Sequence, residues 1–207
     1  IVDDGSTDNT ESRLSEYIKN GSIIYKKQEN KGPGSARNLG ISVSSGIHIC
    51  FLDADDVLYS NSIQDRLNAY IKYPELGMIF SDNKKIIRKN GKDIIYREND
   101  LQEINFINDI AAKYIKSVDG DFYVFDKNIF HELALRCFVG TDTVMTKRDV
   151  LNNVGIFSEE VKIAEDHDLW LRICRKYDIG FLNRSTAVYI MNDGGITKNI
   201  PLYCDSN

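Results

Sequence analysis

The run Ile47-His48-Ile49-Cys50-Phe51-Leu52, followed at once by Asp53-Ala54-Asp55-Asp56, decides the fold class of this chain. A nearly continuous apolar run of that length reads as a strand covered on both faces, and here it empties straight into a carboxylate cluster. Upstream, Ile1-Val2 ends a strand and residues 3–10 form a loop. Leu14, Tyr17 and Ile18 then mark a helix stopped by Asn20-Gly21. Residues 22–25 read as a short strand. A glycine-proline turn at 31–35 leads into a helix bearing Ala36, Leu39 and Val43, closed by Gly46. Downstream, Ile63, Leu67, Tyr70 and Ile71 fall at helical spacing as far as Pro74, and residues 77–81 form another strand. This alternation predicts an α/β fold: a mainly parallel central sheet, joined by right-handed crossovers and flanked by helices.

Beyond residue 82 the pattern changes. Asn90-Gly91, between residues 85–89 and 92–96, predicts a β-hairpin with a type I′ turn. Residues 103–139 read as mixed and mainly helical, and 142–147 as a strand. Leu169, Trp170, Ile173 and Tyr177 give a helix starting near Glu165. Strands at 180–182 and 187–191 precede a loop containing Gly194-Gly195. With no internal repeat or low-complexity linker, the expectation is one unit. Residues 1–82 would be its nucleotide-type half and 83–207 a more variable half.

Composition narrows the function classes. The 207 residues, 42% hydrophobic and 28% charged with 3 prolines, suit a folded domain with a sizeable core. No apolar run approaches the roughly 18–20 residues of a membrane span. A net charge of −5, from 31 acids against 26 bases, argues against non-specific nucleic-acid binding. Cys50, Cys137, Cys174 and Cys204 lack zinc or CxxC spacing. Cys50 and Cys174 sit in apolar patterns as reduced core thiols would, which favours a cytoplasmic setting. The chain opens inside an apparent strand, so an earlier strand is expected before Ile1.

Three carboxylate clusters then need a reason: Asp3-Asp4, Asp53-Ala54-Asp55-Asp56, and Glu165-Asp166-His167-Asp168. Ligands of open α/β sheets bind beyond the carboxyl ends of strands, which is where Asp53, Asp55 and Asp56 fall. An Asp-x-Asp there suits a hard cation, Mg²⁺ or Mn²⁺, carrying a substrate diphosphate. The alternatives are a solvated acidic turn, or an Asp-based phosphatase of haloacid dehalogenase type. That class places the motif on its first strand, whereas strand–helix units come earlier here. Near Asp3-Asp4-Gly5-Ser6-Thr7-Asp8 a carboxylate can accept from a nucleobase N–H, or the segment is simply a capped turn. An EF-hand is excluded because Asp8 stands at its glycine position. Asp166, on the inward side of a helix start, is a general-base candidate, against a plain dipole-stabilising acid. His167 reads as a surface residue.

In order, Val2-Asp3-Asp4-Gly5-Ser6-Thr7-Asp8, Lys31-Gly32-Pro33-Gly34-Ser35-Ala36-Arg37-Asn38, Phe51-Leu52-Asp53-Ala54-Asp55-Asp56 and Glu165-Asp166-His167-Asp168-Leu169-Trp170-Leu171-Arg172 resemble the family 2 glycosyltransferases of GT-A fold. The lead-in Gly155-Ile156-Phe157-Ser158-Glu159 is similar too. The resemblance implies inverting transfer of a sugar from a nucleotide sugar, most often a UDP-sugar, to an acceptor hydroxyl on a glycan or lipid-linked acceptor; the non-enzymatic alternative is an inactive sugar-nucleotide-binding module. It further implies Asp4 at the base, Arg37 near the nucleotide and Asp53 at the ribose or sugar. Asp55, with Asp56, would hold Mn²⁺ or Mg²⁺, and Asp166 would be the base. A cytoplasmic enzyme, peripheral at the inner membrane face, is the corresponding expectation. The chain departs from the family pattern in lacking its first strand and the Pro-x-Tyr-Asn type segment. The Tyr-Arg and His of the C-terminal loop are also missing from residues 189–197.

Overall fold

The computed structural model describes residues 1–161 and 163–192. β1 (Val2–Asp4), α1 (Thr10–Lys19) and β2 (Lys26–Gln28) form a small unit in which the two strands pair in parallel, Val2 opposite Lys26. α2 (Pro33–Val43) begins on Pro33, whose missing N–H costs nothing in a first turn. It leads into β3 (His48–Cys50) and the acidic turn. β4 (Val57–Leu58), α3 (Ser62–Lys72), β5 (Met78–Lys89) and β6 (Lys92–Arg97) follow. After the short α4 (Asp100–Glu103) come the hairpin strands β7 (Ile115–Asp119) and β8 (Phe122–Phe125), then α5 (Phe130–Leu135). A 3₁₀ turn at Thr141–Thr143 precedes β9 (Met145–Lys147), α6 (Arg148–Val154), α7 (Glu165–Cys174) and β10 (Ile179–Asn192).

The main sheet runs β3-β9-β5-β10-β8-β7, with β4 on β10 and β6 on β5. It is mixed and mostly antiparallel, not mainly parallel as the alternation predicts. Among its described pairings only β5 with β10 is parallel. The reason is an insertion. β3 and β5 do run the same way, as a strand–helix–strand crossover demands, but β9 arrives from the second half and lies antiparallel between them.

Other boundaries move as well. The strand expected at 22–25 lies at Lys26–Gln28, and the 103–139 stretch contains the β7–β8 hairpin. Residues 180–182 and 187–191 belong to one strand, bulged between Leu182 and Ala187. The Asn90-Gly91 hairpin is present, with both residues at positive φ (52° and 71°) and Lys89 opposite Lys92. No helix of the described residues is long and apolar enough to cross a membrane.

One apolar cluster joins the two halves, from Ile41 and Phe51 through Phe80 and Phe106 to Trp170 and Phe181. Phe80 and Phe181 pack as tilted rings with centres 4.8 Å apart across β5 and β10, and Phe106 meets Phe181 edge-on at 5.3 Å. Each such ring contributes about 1.5–3 kcal/mol by leaving water. Their combined effect fixes the register of β5 and β10, and so the end of the sheet where the acids gather. Cys174 is buried as a free thiol.

Candidate active site

The first motif is held from below and from the side. Asp3 is buried and accepts from Tyr25 Oη at 2.6 Å and Ser6 N at 2.7 Å. The Tyr25 hydroxyl, then the Ser6 amide, lower its pKa to about 2. Asp4 faces the other way. Its carboxylate accepts from Gln28 Nε2 (2.7 Å), Lys31 N (2.9 Å) and Gly32 N (2.8 Å). Gly5 makes this approach possible: its φ is +84°, and a Cβ there would lie 2.8 Å from Asn30 N. Asp4 therefore ties the first motif to the glycine-proline turn that starts α2.

Arg37, one turn into α2, ties the second motif to the other two. Its Nη2 donates to both Asp53 oxygens at 2.8 and 2.9 Å, and its Nη1 to Glu165 Oε1 at 2.6 Å. The guanidinium also lies 5.5 Å from the centre of the Phe157 ring. Burial works to lower its pKa, but Asp53 and Glu165 outweigh that and raise it. Asn38 clamps the lead-in segment, exchanging hydrogen bonds with the backbone of Phe157 at 2.9 and 3.0 Å. A shallow cleft lies between this segment and the turn, lined by Gly32, Gly34, Ser158, Glu159 and Glu165 among others.

The central acids separate into different environments. Asp56 N closes a turn onto Asp53 O at 3.1 Å. Asp55 is exposed, and one oxygen accepts from Asn192 Nδ2 at 3.0 Å. Asp56 is buried against β10, accepting from Ile190 N at 2.9 Å, and burial pushes its pKa up to about 7. Beneath them Asp142 is buried as well, and burial raises its pKa to about 6. Fully buried Arg66 reaches the carbonyl of Asp142 at 3.3 Å.

The fourth motif opens α7 on Ala164, a non-glycine residue at φ +63°. Asp166 is half-buried. Its Oδ2 accepts from Thr141 Oγ1 at 2.6 Å and its Oδ1 from the His167 amide at 2.7 Å. His167 is half-buried, not a surface residue, and burial lowers its pKa. Asp168 pairs with Arg172 at 2.8 Å within the helix, and Arg172 also caps the carbonyls of Val154 and Ile156. Asp168 is thus a structural acid.

The fold brings Arg37, Asp53 and the start of α7 into one network. Asp4 adjoins it through the α2 turn, and Asp55 and Asp56 through the acidic turn. Sequence reasoning passed over Glu165 as a partner of Arg37, and Thr141 altogether. Neither has a local signal, since each contact spans a long stretch of chain. Among the described residues no three His, Cys, Asp or Glu side chains converge as a metal site. The oxygen donors fit a cation all the same: Asp55 is an exposed carboxylate side chain, and Mg²⁺ or Mn²⁺ can take most of its shell from water and diphosphate. Gly194, Gly195 and Thr197 lie outside the described residues.

Residues 1–133 match the model of glycosyl transferase family 2. The chain belongs to that family. The match takes in the first three motifs, and it decides against the phosphatase reading of Asp53. The fourth motif lies beyond it but within the span shared with relatives. An uncharacterized glycosyltransferase of Rickettsia felis is 31% identical over 194 residues, covering 94% of this chain and 28% of that protein. The Escherichia coli UDP-Glc:alpha-D-GlcNAc-diphosphoundecaprenol beta-1,3-glucosyltransferase WfgD is 26% identical, covering 96% of this chain and 67% of its own length. Among solved structures, S. aureus TarS 1-349 in complex with UDP-GlcNAc superposes with a TM-score of 0.63. It is 19% identical, over 97% of this chain and 51% of that one. That likeness establishes the α/β fold as that of TarS. This chain spans about a quarter to a half of the Rickettsia relatives.

Proposed function

We propose that this chain is the donor-binding and catalytic unit of an inverting transferase, moving a sugar from a UDP-sugar to an acceptor hydroxyl. The observation that carries the reading is Arg37, which joins Asp53 at the sheet end to the helix turn bearing Asp166. A donor site and a base candidate thereby share one network. The names of WfgD, which acts on a lipid diphosphate-linked sugar, and of TarS bound to UDP-GlcNAc support a UDP-sugar and a lipid-linked or polymeric glycan acceptor. Residues 1–82 would form the donor half and 83–207 the acceptor half, working in the cytoplasm at the inner membrane face.

Each residue then has a task. Asp4 spends one of about four carboxylate lone-pair positions on Gln28 of β2 and two on the turn, leaving one for a base N–H. Arg37 sits near the nucleotide and holds Asp53 in place towards ribose or sugar. Asp55 would hold Mg²⁺ or Mn²⁺; Asp56, buried and bonded to Ile190, is better suited to fixing the turn. The cation, when bound, would neutralise the charge that develops on the leaving diphosphate. Asp166 takes the proton of the acceptor hydroxyl as that oxygen attacks the anomeric carbon from the face opposite the diphosphate. One base suffices because no covalent intermediate forms.

A thermal-shift screen of UDP-GlcNAc, UDP-glucose and GDP-mannose, with and without Mn²⁺, tests the reading. A UDP-sugar should stabilise the chain, and Asp55→Ala should remove the Mn²⁺-dependent part. Asp166→Asn should leave donor binding intact and slow transfer by about 10²–10⁴-fold. Transfer at the parent rate in Asp166→Asn would overturn the base assignment, and Mn²⁺-dependent binding in Asp55→Ala the metal assignment.

A further inference from the structure

Asp166 has two donors of different kinds. The amide of His167 is a neighbour's backbone, available to any acid in this place. The hydroxyl of Thr141 comes from the 3₁₀ turn between α5 and β9, 25 residues away in sequence. That turn is rigid. Thr143 N and Thr143 Oγ1 both return to Gly140 O, at 3.0 and 2.7 Å, and buried Arg66 holds the Asp142 carbonyl. A Cβ on Gly140 would lie 2.9 Å from Asp142 Oδ1, so the segment has little room to shift. Thr141 itself is only 8% exposed. Its hydroxyl is therefore a fixed point, and Asp166 Oδ2 is held against it.

We propose that Thr141 is a positioning residue for transfer: its hydroxyl orients Asp166 so that a free lone pair faces the acceptor. The inference rests on reading Asp166 as the base. In the step it serves, the acceptor oxygen bonds to the anomeric carbon. The bond from that carbon to the diphosphate breaks with its electron pair on the diphosphate. The acceptor proton passes to Asp166. Thr141 keeps its own proton throughout and contributes geometry.

The test compares Thr141→Val, Thr141→Ser, Asp166→Asn and the Thr141→Val/Asp166→Asn double variant. The readout is UDP release from the UDP-sugar found by thermal shift. Thr141→Val should lower kcat about 10-fold with the donor KM within about twofold. Thr141→Ser should recover most of the rate. The double variant should be no slower than Asp166→Asn alone. If Thr141→Val does not fold, Thr141→Ala carries the same expectations. Where turnover is too slow to measure, the ¹³C carboxyl shift of Asp166 at a single pH should differ between Thr141→Val and the parent and return in Thr141→Ser, because Oδ2 loses and regains its hydroxyl donor. An unchanged rate, an unchanged Asp166 carboxyl signal, or losses that simply multiply in the double variant would each overturn the proposal. Asp166→Asn at the parent rate would instead overturn the base reading beneath it.

Discussion

Removing Arg37 should be among the most damaging single changes near the site, and the structure says through which partner. In Arg37→Ala the guanidinium, 12% exposed, is lost from between two carboxylates of unequal exposure. The Asp53 side chain is 44% exposed and can rehydrate, so losing that pair costs at most about 1 kcal/mol. Glu165 is 9% exposed and cannot, and a buried charge left unpaired costs about 3–5 kcal/mol. The Phe157 ring face adds about 0.5–1 kcal/mol. These contributions share one side chain and do not add in full, so the expected loss is about 3–4 kcal/mol, mostly through Glu165. Urea denaturation at pH 7 of Arg37→Ala, Glu165→Gln and the double variant measures it. In the Glu165→Gln background Arg37→Ala should cost only about 1–2 kcal/mol, a coupling of about 1–3 kcal/mol. A coupling below about 0.5 kcal/mol would refute the reasoning, since the two side chains would then not depend on each other.

Three further outcomes are expected. Burial lifts Asp56 from 3.8 to about 7 in the folded chain, so the fold holds a proton that the unfolded chain releases; stability from this group declines as pH rises from about 4 to 7. Asp56→Asn, whose amide oxygen can still accept from Ile190, should be about 1–2 kcal/mol more stable than the parent at pH 8 in EDTA, allowing for solvent screening, with no advantage at pH 4. A constant difference across that range in urea titrations would count against it. Tyr25→Phe removes the hydroxyl that chiefly holds Asp3 near 2. The stabilisation exists above about pH 4 and is lost as pH falls through 2, so the melting-temperature deficit of Tyr25→Phe should be full at pH 6 and close towards pH 2. Gly180→Ala would put a methyl 2.5 Å from Phe122 Cζ and 3.0 Å from Leu76 Cδ1. It should cost about 1–3 kcal/mol in urea, and an unchanged midpoint would show that the β8–β10 contact is looser than it looks.

Local pattern carried the first half of the fold well and the second half poorly. Apolar spacing and the Asn-Gly dipeptide placed α1, α2, α7 and the β5–β6 hairpin because those elements are set by neighbours in sequence. The parallel sheet failed because β9 slots between β3 and β5, a choice made by long-range packing alone. α3 shows the same limit on a smaller scale. Its periodicity points Ile63 and Ile71 inward, yet both are exposed, and the buried positions are Ser62, Arg66 and Tyr70. Arg66 can be buried because Ser62 and the Asp142 carbonyl receive its donors, which no hydrophobic pattern encodes. The β7–β8 hairpin had a usable signal in Asp119-Gly120, with Gly120 at φ +62°, inside a stretch read as helical.

The acid clusters show why a site can be legible while its support is not. Each cluster announces itself by residue type at a strand end or helix start, so its approximate place follows from local structure. Whether a given carboxylate is free to do chemistry depends on what is aimed at it. Asp3 and Asp4 both meet donors, but only Asp3 is buried; Asp56 and Asp55 are adjacent, but one is sealed against Ile190 and the other faces solvent. Those differences come from Tyr25, Gln28, β10 and the Thr141 turn, elements distant in sequence that could not be assigned to an acid beforehand. Like charges so close together would ordinarily repel, and here Arg37 offsets two of them at once. By binding Asp53 and Glu165 with one guanidinium, it makes the repulsive proximity of the second and third clusters the condition of their alignment. A substitution that merely preserved positive charge, such as Arg37→Lys, would lose that: a single ammonium cannot grip Asp53 with two donors and still reach Glu165 in the same plane.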